Sequence, residues 1–519
     1  MKEIIYAIFL SFFLCGLCGN AEAKKKKEVK KAIKREVQTP YDKLFKGKKA
    51  FTVNGLMKMH LMAGKVYAEF PIELLNRDLA LTSSIEDISD NGEGVVGQFA
   101  GRVNQFRFTL QDSMLQARLV RRYGVKNTGM GKNADQIIER SNTPGIFQSY
   151  KILAYTPDKK AVVVDMTELF LESSRLTNPF PSYAGNSLYG FVQRIHKFQS
   201  QRSELLGICG NDNSMSVHCN LGFNVDRLVL GSFMQAKDVP VSVTVNKILM
   251  LLPEDPMRPR LADSRIGVNA IIQTELPDVC QGIKTYYITK RWRIEPVDEI
   301  RYKQGEMVDV KKPIVFYIDT LMPDSWIKYV KAGAEAWNAA FEKIGLRNVV
   351  RTELFPKDSS FDAGDIHNSV IRYAPSWMYY PQYSMHTDPR TGEILNASVY
   401  LPANVASYFY TSRTEETMAV DPSVRKARLS EEQFGEMFKA KMMQAIGRCL
   451  GLTDNYAASS VYPVDSLRSA SFTRKYGVVA SVMDDFTCNK IAQPEDVKKG
   501  VVLVQQNLGP YDYEVIKYL

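Results

Sequence analysis

Apolar side chains recur every three or four positions through Phe434, Met437, Phe438, Met442, Ala445, Ile446, Cys449 and Leu450, a spacing that predicts one long amphipathic helix. Ser430 followed by Gln433 marks its start as a capping box. Gly451 stands where a left-handed glycine would end it. A second helix is predicted from Pro323-Asp324-Ser325 to Gly345, with Trp326, Val330, Trp337, Phe341 and Ile344 forming one stripe. That stripe is read as core rather than as a binding face. The rest of the pattern is strand-like. Residues 56–61 and 66–70 flank Ala63-Gly64 as a hairpin, and residues 106–110 and 115–119 form another. Residues 161–165 are a short buried strand, 167–170 begin a short helix or turn, and 239–252 continue the β pattern. Residues 257–265 are rich in Pro, Arg and Asp and read as a loop whose charges form structural ion pairs. Further on, residues 313–319, 369–373 and 394–401 are strands, with a turn at 388–393. The fold class is α+β: a small β domain at 41–100, a β-rich domain at 101–292, and a third domain at 293–519 that mixes a sheet with helices.

The length, 519 residues, allows two to four domains, and 45% hydrophobic with 24% charged residues is a globular composition. The net charge of +10 is largely local: residues 24–36 hold eight Lys/Arg and two Glu, a net of +6. Such a run is read as a solvated tail, contact with anionic lipid or polysaccharide being the weaker alternative. No nucleic-acid-binding motif accompanies it, so a nucleic-acid partner is not expected. Residues 1–23 have the form of a secretory signal, with Lys2, an apolar run at 4–17 and the cleavage pattern Ala21-Glu22-Ala23. A lipoprotein leader fits less well, because Leu14 and Leu17 precede Cys15 and Cys18. Residues 24–40 are a Lys-rich leader that ends at Pro40. No later segment is apolar for long enough to span a bilayer. The expected location is therefore outside the cytoplasm, periplasmic or extracellular. Past the signal five cysteines remain, Cys209, Cys219, Cys280, Cys449 and Cys488. An odd count leaves at least one thiol unpaired, and Cys209–Cys219 is the expected bridge across the polar turn 210–214. No Cys/His cluster in this mature portion has the spacing of a structural zinc site.

The helix predicted at 430–451 carries a more specific signal. Gln444-Ala445-Ile446-Gly447-Arg448-Cys449-Leu450-Gly451-Leu452-Thr453-Asp454 has the frame of HExxHxxGxxH, and Ser481-Val482-Met483-Asp484 resembles a Met-turn. With the flanks at 458–467, and with 41–45 and 67–71 near the start, the chain resembles exported bacterial metzincin-like zinc metalloproteases common in Bacteroidota, which carry β-rich domains before the protease domain. Residues 444–455 taken alone read rather as an ordinary amphipathic helix with a glycine stop, and the flanks are what turn the reading to the family frame. The resemblance implies a metzincin-like domain at 293–519, ending at Leu519 short of the family's usual length, so that part of its lower subdomain is expected to be missing. It also implies that Ile394, Leu395, Asn396, Ala397, Ser398, Val399 and Tyr400 form the edge strand along which a peptide lies.

Aligned on that frame, Gln444, Arg448 and Asp454 occupy the three zinc-ligand positions, Ala445 the general-base position and Gly451 the retained glycine, with Met483 as the Met of the turn. Glutamine is a weak zinc ligand, and arginine cannot lose its proton to become one. Alanine removes the base that would activate a metal-bound water. His60, His196, His218, His367 and His386 contain no pair one helical turn apart to replace the lost set. The expectations are thus no catalytic residue, no metal ligand and no cofactor, zinc belonging to active relatives. The implied role is a pseudoprotease that binds a peptide or protein, with an active paralogue as a further candidate partner. The alternatives are a peptidase with a non-standard centre and a structural envelope protein. An Arg448–Asp454 ion pair is expected in the metal's place, with Gln444 as a hydrogen-bonding neighbour.

Overall fold

A computed structural model describes residues 38–99, 103–120, 125–127, 132–173, 178–180, 192–230, 232–277, 282–358, 361–376, 378–485 and 488–519. Residues 1–37, on which the expected signal sequence and most of the expected leader fall, and Cys280 lie outside the described residues. Among the described residues no helix is long and apolar enough to cross a membrane.

Besides a smaller three-stranded sheet of 284–289, 270–276 and 125–127, the N-terminal half is built mainly from two antiparallel sheets. One has five short strands in the order 51–53, 58–62, 65–71, 161–165, 154–155. The other has seven, and four of them matter below: β1 (Leu79–Ile88), β2 (Val192–Asn211), β3 (Ser214–Val229) and β4 (Phe233–Leu251). They lie in the order β2-β3-β4-β1, followed by 104–111, 114–119 and 145–151. Apolar faces of the two sheets close on a common core, with the Phe70 and Phe108 rings 4.8 Å apart. The division expected near residue 100 does not survive this pairing. Strand 65–71 pairs with 161–165, and β1 pairs with both β4 and strand 104–111. Antiparallel partners need not be neighbours in sequence, and the hairpin signals locate strands without saying which strands meet.

The C-terminal part is a mixed sheet covered by helices. Its strands are β5 (Ile314–Ile318), β6 (Val350–Leu354), β7 (Ser369–Ala374), β8 (Gln382–Thr387) and β9 (Ile394–Pro402), in the order β6-β5-β7-β9-β8. All neighbours are parallel except β8, which runs antiparallel to β9 at the edge. This corrects the assignment of residues 394–400. Ile394, Leu395, Asn396, Ala397, Ser398, Val399 and Tyr400 belong to an interior strand paired on both sides, and most of them are buried. A strand covered on both faces is the one that reads as a continuous apolar run. The true edge, Gln-Tyr-Ser-Met-His-Thr, is more polar and gives no such signal.

The helix predicted at 324–344 is two, α1 (Asp324–Glu335) and α2 (Asn338–Glu342). Trp337 lies at the break, fully buried, and its indole N–H donates to the backbone oxygen of Met443 at 2.9 Å. Gly345 follows at φ +84°, the left-handed end expected of it. The next helices are α3 (Val405–Thr417) and α4 (Glu431–Cys449). α4 packs through Phe438, Met442 and Ile446 into one core with Trp337, Phe316 and Val399. The expected Cys209–Cys219 bridge is absent, and both thiols are free. Cys209 faces Ser216 and Cys219 faces Leu205, so the hairpin register keeps the two cysteines apart.

Candidate functional site

α4 starts with the expected reciprocal cap. Ser430 Oγ accepts from the Gln433 N–H at 3.2 Å, and Gln433 Oε1 accepts from the Ser430 N–H at 3.0 Å. It ends in a Schellman turn: the Gly451 N–H donates to the Arg448 oxygen at 3.1 Å, and the Leu452 N–H to the Gly447 oxygen at 3.0 Å. Gly451 has φ +104°, and a Cβ there would strike the Lys290 backbone oxygen. Only glycine meets both conditions, and the turn it makes carries the chain back past the last helical turn.

There Arg448 meets Asp454. Its Nε and one terminal nitrogen donate to the same oxygen, Asp454 Oδ1, at 2.9 and 2.6 Å. The expected ion pair forms, but as a fork on one oxygen rather than two parallel bonds. The other carboxylate oxygen accepts from the Tyr456 hydroxyl at 3.3 Å. The guanidinium lies 5.8 Å from the ring centre of Tyr383 on β8, within cation–π range. Burial pushes the Tyr383 phenol up, and Arg448 opposes that shift.

Gln444 is not part of this group. It is buried, and its Nε2 donates to the Asp484 backbone oxygen at 2.8 Å, while Oε1 has no partner among the described residues. It borders a recess of about 30 Å³, with Tyr408, Met437, Lys441, Val482 and Asp484 among its walls, which has room for a single water. Lys441 lies 3.7 Å from Asp485, and burial pushes its ammonium down. Ala445 is 4% exposed and belongs to the core.

Met483 is wholly buried beneath α4. A Cβ on Gly447 would collide with its sulfur and with the Trp337 ring, so a bare backbone at 447 lets the helix settle on them. The Asn455 N–H donates to the Met483 oxygen at 2.9 Å, tying this turn to the segment after Gly451. Asp512 anchors the turn from below, accepting from Ser481 Oγ at 2.6 Å, the Val482 N–H at 2.9 Å and the Gly509 N–H at 2.7 Å. Residues 444, 448, 454 and 483 therefore converge on one end of one helix. Tyr383 and Tyr456, which complete the surroundings, were not singled out from sequence, whereas Asp484 lies within the Met-turn segment. Tyr456 closely follows the helix motif and was within reach of a local reading. Tyr383 was not, since its strand is placed only by the sheet.

Residues 426–519 match a family model described as Met-zincin. The segment 426–519, which holds α4 and the turn at Met483, is metzincin-like. Residues 97–297 match a second model, Domain of unknown function (DUF5117), which covers most of the β-rich region. No curated protein and no solved structure matches the chain.

A metzincin-like domain implies a zinc site, and the residues at the end of α4 do not fit one. A catalytic zinc takes three neutral or anionic protein ligands. Here one position is a permanent cation, its guanidinium held against the carboxylate that would be another ligand. The third is an amide whose nitrogen is bonded to the backbone oxygen of Asp484. At this end of the helix the charge is balanced within the protein, and no metal-dependent step can be assigned to it.

Proposed function

We propose that this protein is an exported, catalytically inactive metzincin-like protein that binds an extended peptide or a protein segment along β8. The observation that carries the reading is the Arg448–Asp454 pair, an ion pair of the protein's own between two residues that align with zinc-ligand positions of the HExxHxxGxxH frame. β8 pairs with β9 on one side and, among the described residues, with no strand on the other. Its outer edge is thus open to strand addition, and the exposed rings of Tyr379, Tyr380 and Tyr383 lie on or just before it. Export is supported by the apolar run and the Ala21-Glu22-Ala23 pattern of the first 23 residues.

The test pairs a protease assay with a binding screen on the purified mature chain. Casein is expected to stay intact with or without added zinc. An extended-peptide library is expected to yield ligands whose affinity falls about tenfold, ~1.4 kcal/mol, in Tyr383→Ala. Cleavage abolished by a chelator would overturn the inactive reading. A library without a single saturable ligand would favour a purely structural envelope role.

A further inference from the structure

A second group of ligating side chains lies far from α4, where the seven-stranded sheet meets the metzincin-like domain. Glu86 on β1, His218 on β3 and Asp362, in the loop between β6 and β7, bring one ligand atom each to within 4.8 Å of one another. His218 Nδ1 and Glu86 Oε1 are 2.7 Å apart. Three features show how the fold builds this arrangement. Ile85 faces Val245 and Asp87 faces Thr244, so Glu86 is the extra residue of a β-bulge. A bulge re-aims a side chain that the regular pleat would send elsewhere. The loop is pressed close to the sheet at Gly364, where a Cβ would lie 2.9 Å from Ser84 Oγ and 3.1 Å from Asp362 Oδ1. Its carboxylate is oriented by the Gly364 N–H on Oδ1 and by Asn246 Nδ2 on Oδ2, both at 2.7 Å.

Two carboxylates here face one imidazole. An independent observation comes from Asn246, which is 0% exposed on β4, directly opposite His218. Its Nδ2 is committed to Asp362, yet its Oδ1 has no partner among the described residues. A buried amide oxygen without a donor calls for one, and a water held at the cluster would supply it.

We propose that Glu86, His218 and Asp362 bind one divalent first-row transition ion, zinc or manganese(II), as a staple between the seven-stranded sheet and the metzincin-like domain. One imidazole with two carboxylates is a donor set of that class. Metal–ligand lengths of roughly 2.0–2.2 Å place the ligand atoms of a tetrahedral ion about 3.4 Å apart. Small side-chain rotations bring the three atoms to that spacing. Asn246 acts as a positioning residue that holds the Asp362 carboxylate. The site has no connection with the α4 frame.

The experiment uses the full mature chain, stripped with a chelator and titrated with zinc chloride and manganese chloride by calorimetry. One equivalent is expected to bind at micromolar affinity or tighter and to raise the thermal midpoint. His218→Ala and Asp362→Asn are each expected to weaken binding at least 100-fold, while Asp454→Ala leaves it unchanged. X-ray absorption of the zinc-loaded wild-type protein needs no variant and is expected to show one imidazole and oxygen ligands. Absence of a saturable equivalent, binding indifferent to both His218→Ala and Asp362→Asn, or sulfur in the ligand shell would overturn the proposal. An equivalent lost in Asp454→Ala and kept in His218→Ala would place the ion at α4, overturning this site and the inactive reading together. Chelator-sensitive casein cleavage by a protein whose ion needs His218 would overturn only the inactive reading.

Discussion

The end of α4 has the frame of a metal site without its ligands, the Glu86–His218–Asp362 junction has ligating groups without a frame, and the two treat charge in opposite ways. Arg448 finds its counter-charge six residues further along the chain, and the pair is partly open to solvent. At the junction the partners are far apart in sequence: Glu86 and His218 are separated by 132 residues, and Asn246 and Asp362 by 116. There two carboxylates face a single imidazole, and a wholly buried amide oxygen is left without a donor. The first arrangement is self-sufficient within one helix and its turn. The second requires the seven-stranded sheet and the loop before β7 to be docked first. Ligating groups thus come together where no local sequence frame marks them.

The sharpest way to break this contrast is to rebuild the first region. Gln444→His, Ala445→Glu, Arg448→His and Asp454→His together are expected to create zinc binding at α4 of micromolar strength, ~8 kcal/mol from nothing. Any one replacement alone should bind none, because ligands act as a set. Zinc titration of a folded quadruple variant that shows no added equivalent would mean that the frame is misaligned. The second test concerns the packing that holds the frame. Gly447→Val is expected to cost about 3 kcal/mol in urea unfolding, since the new side chain meets Met483 and Trp337. A loss below about 1 kcal/mol would show the helix–turn contact to be soft.

The third test uses acid. His386, on β8, is fully buried against Phe99, and burial pushes its imidazole from 6.5 down to about 4. The unfolded chain takes up a proton below pH 6.5 while the folded form stays neutral. The stability is therefore present above 6.5 and is lost as pH falls toward 4. Between pH 6.5 and 5 this amounts to about 2 kcal/mol. His386→Leu should be correspondingly less acid-sensitive, and equal slopes in the two proteins would exclude His386 as the cause. The smallest effect belongs to the ion pair itself. With Arg448 at 22% and Asp454 at 31% side-chain exposure, a double-mutant cycle of the two alanine variants should give a coupling of about 1 kcal/mol or less. A coupling of about 3 kcal/mol would mark the pair as effectively buried.

Local features were legible in the chain. Ser430, Gln433 and Gly451 delimit α4 as expected, because caps are set by side chains a few residues apart. Arg448 and Asp454 meet because a short turn leaves them little freedom to do otherwise. The α+β character and the strands at 58–62, 65–71, 104–111, 114–119, 161–165 and the later part of β4 follow from periodicity, which is also local, whereas β1, β2 and β3 were not read from it. Strand partners do not. The boundary near residue 100 dissolved because β1 pairs with β4, more than a hundred residues away in sequence, and a strand's own residues do not name its neighbour. β8 escaped notice and β9 was taken for the edge because burial, not position at the rim, is what makes a strand apolar. Gln444 turned to Asp484 rather than to Arg448, since helix spacing sets a direction and the packed turn beneath the helix decides which acceptor is there. The sequence by itself determined the helix, its frame and the charges within it. Only the tertiary structure brought Glu86, His218 and Asp362 together, because their contact depends on strand register and on one sheet docking against another domain's loop.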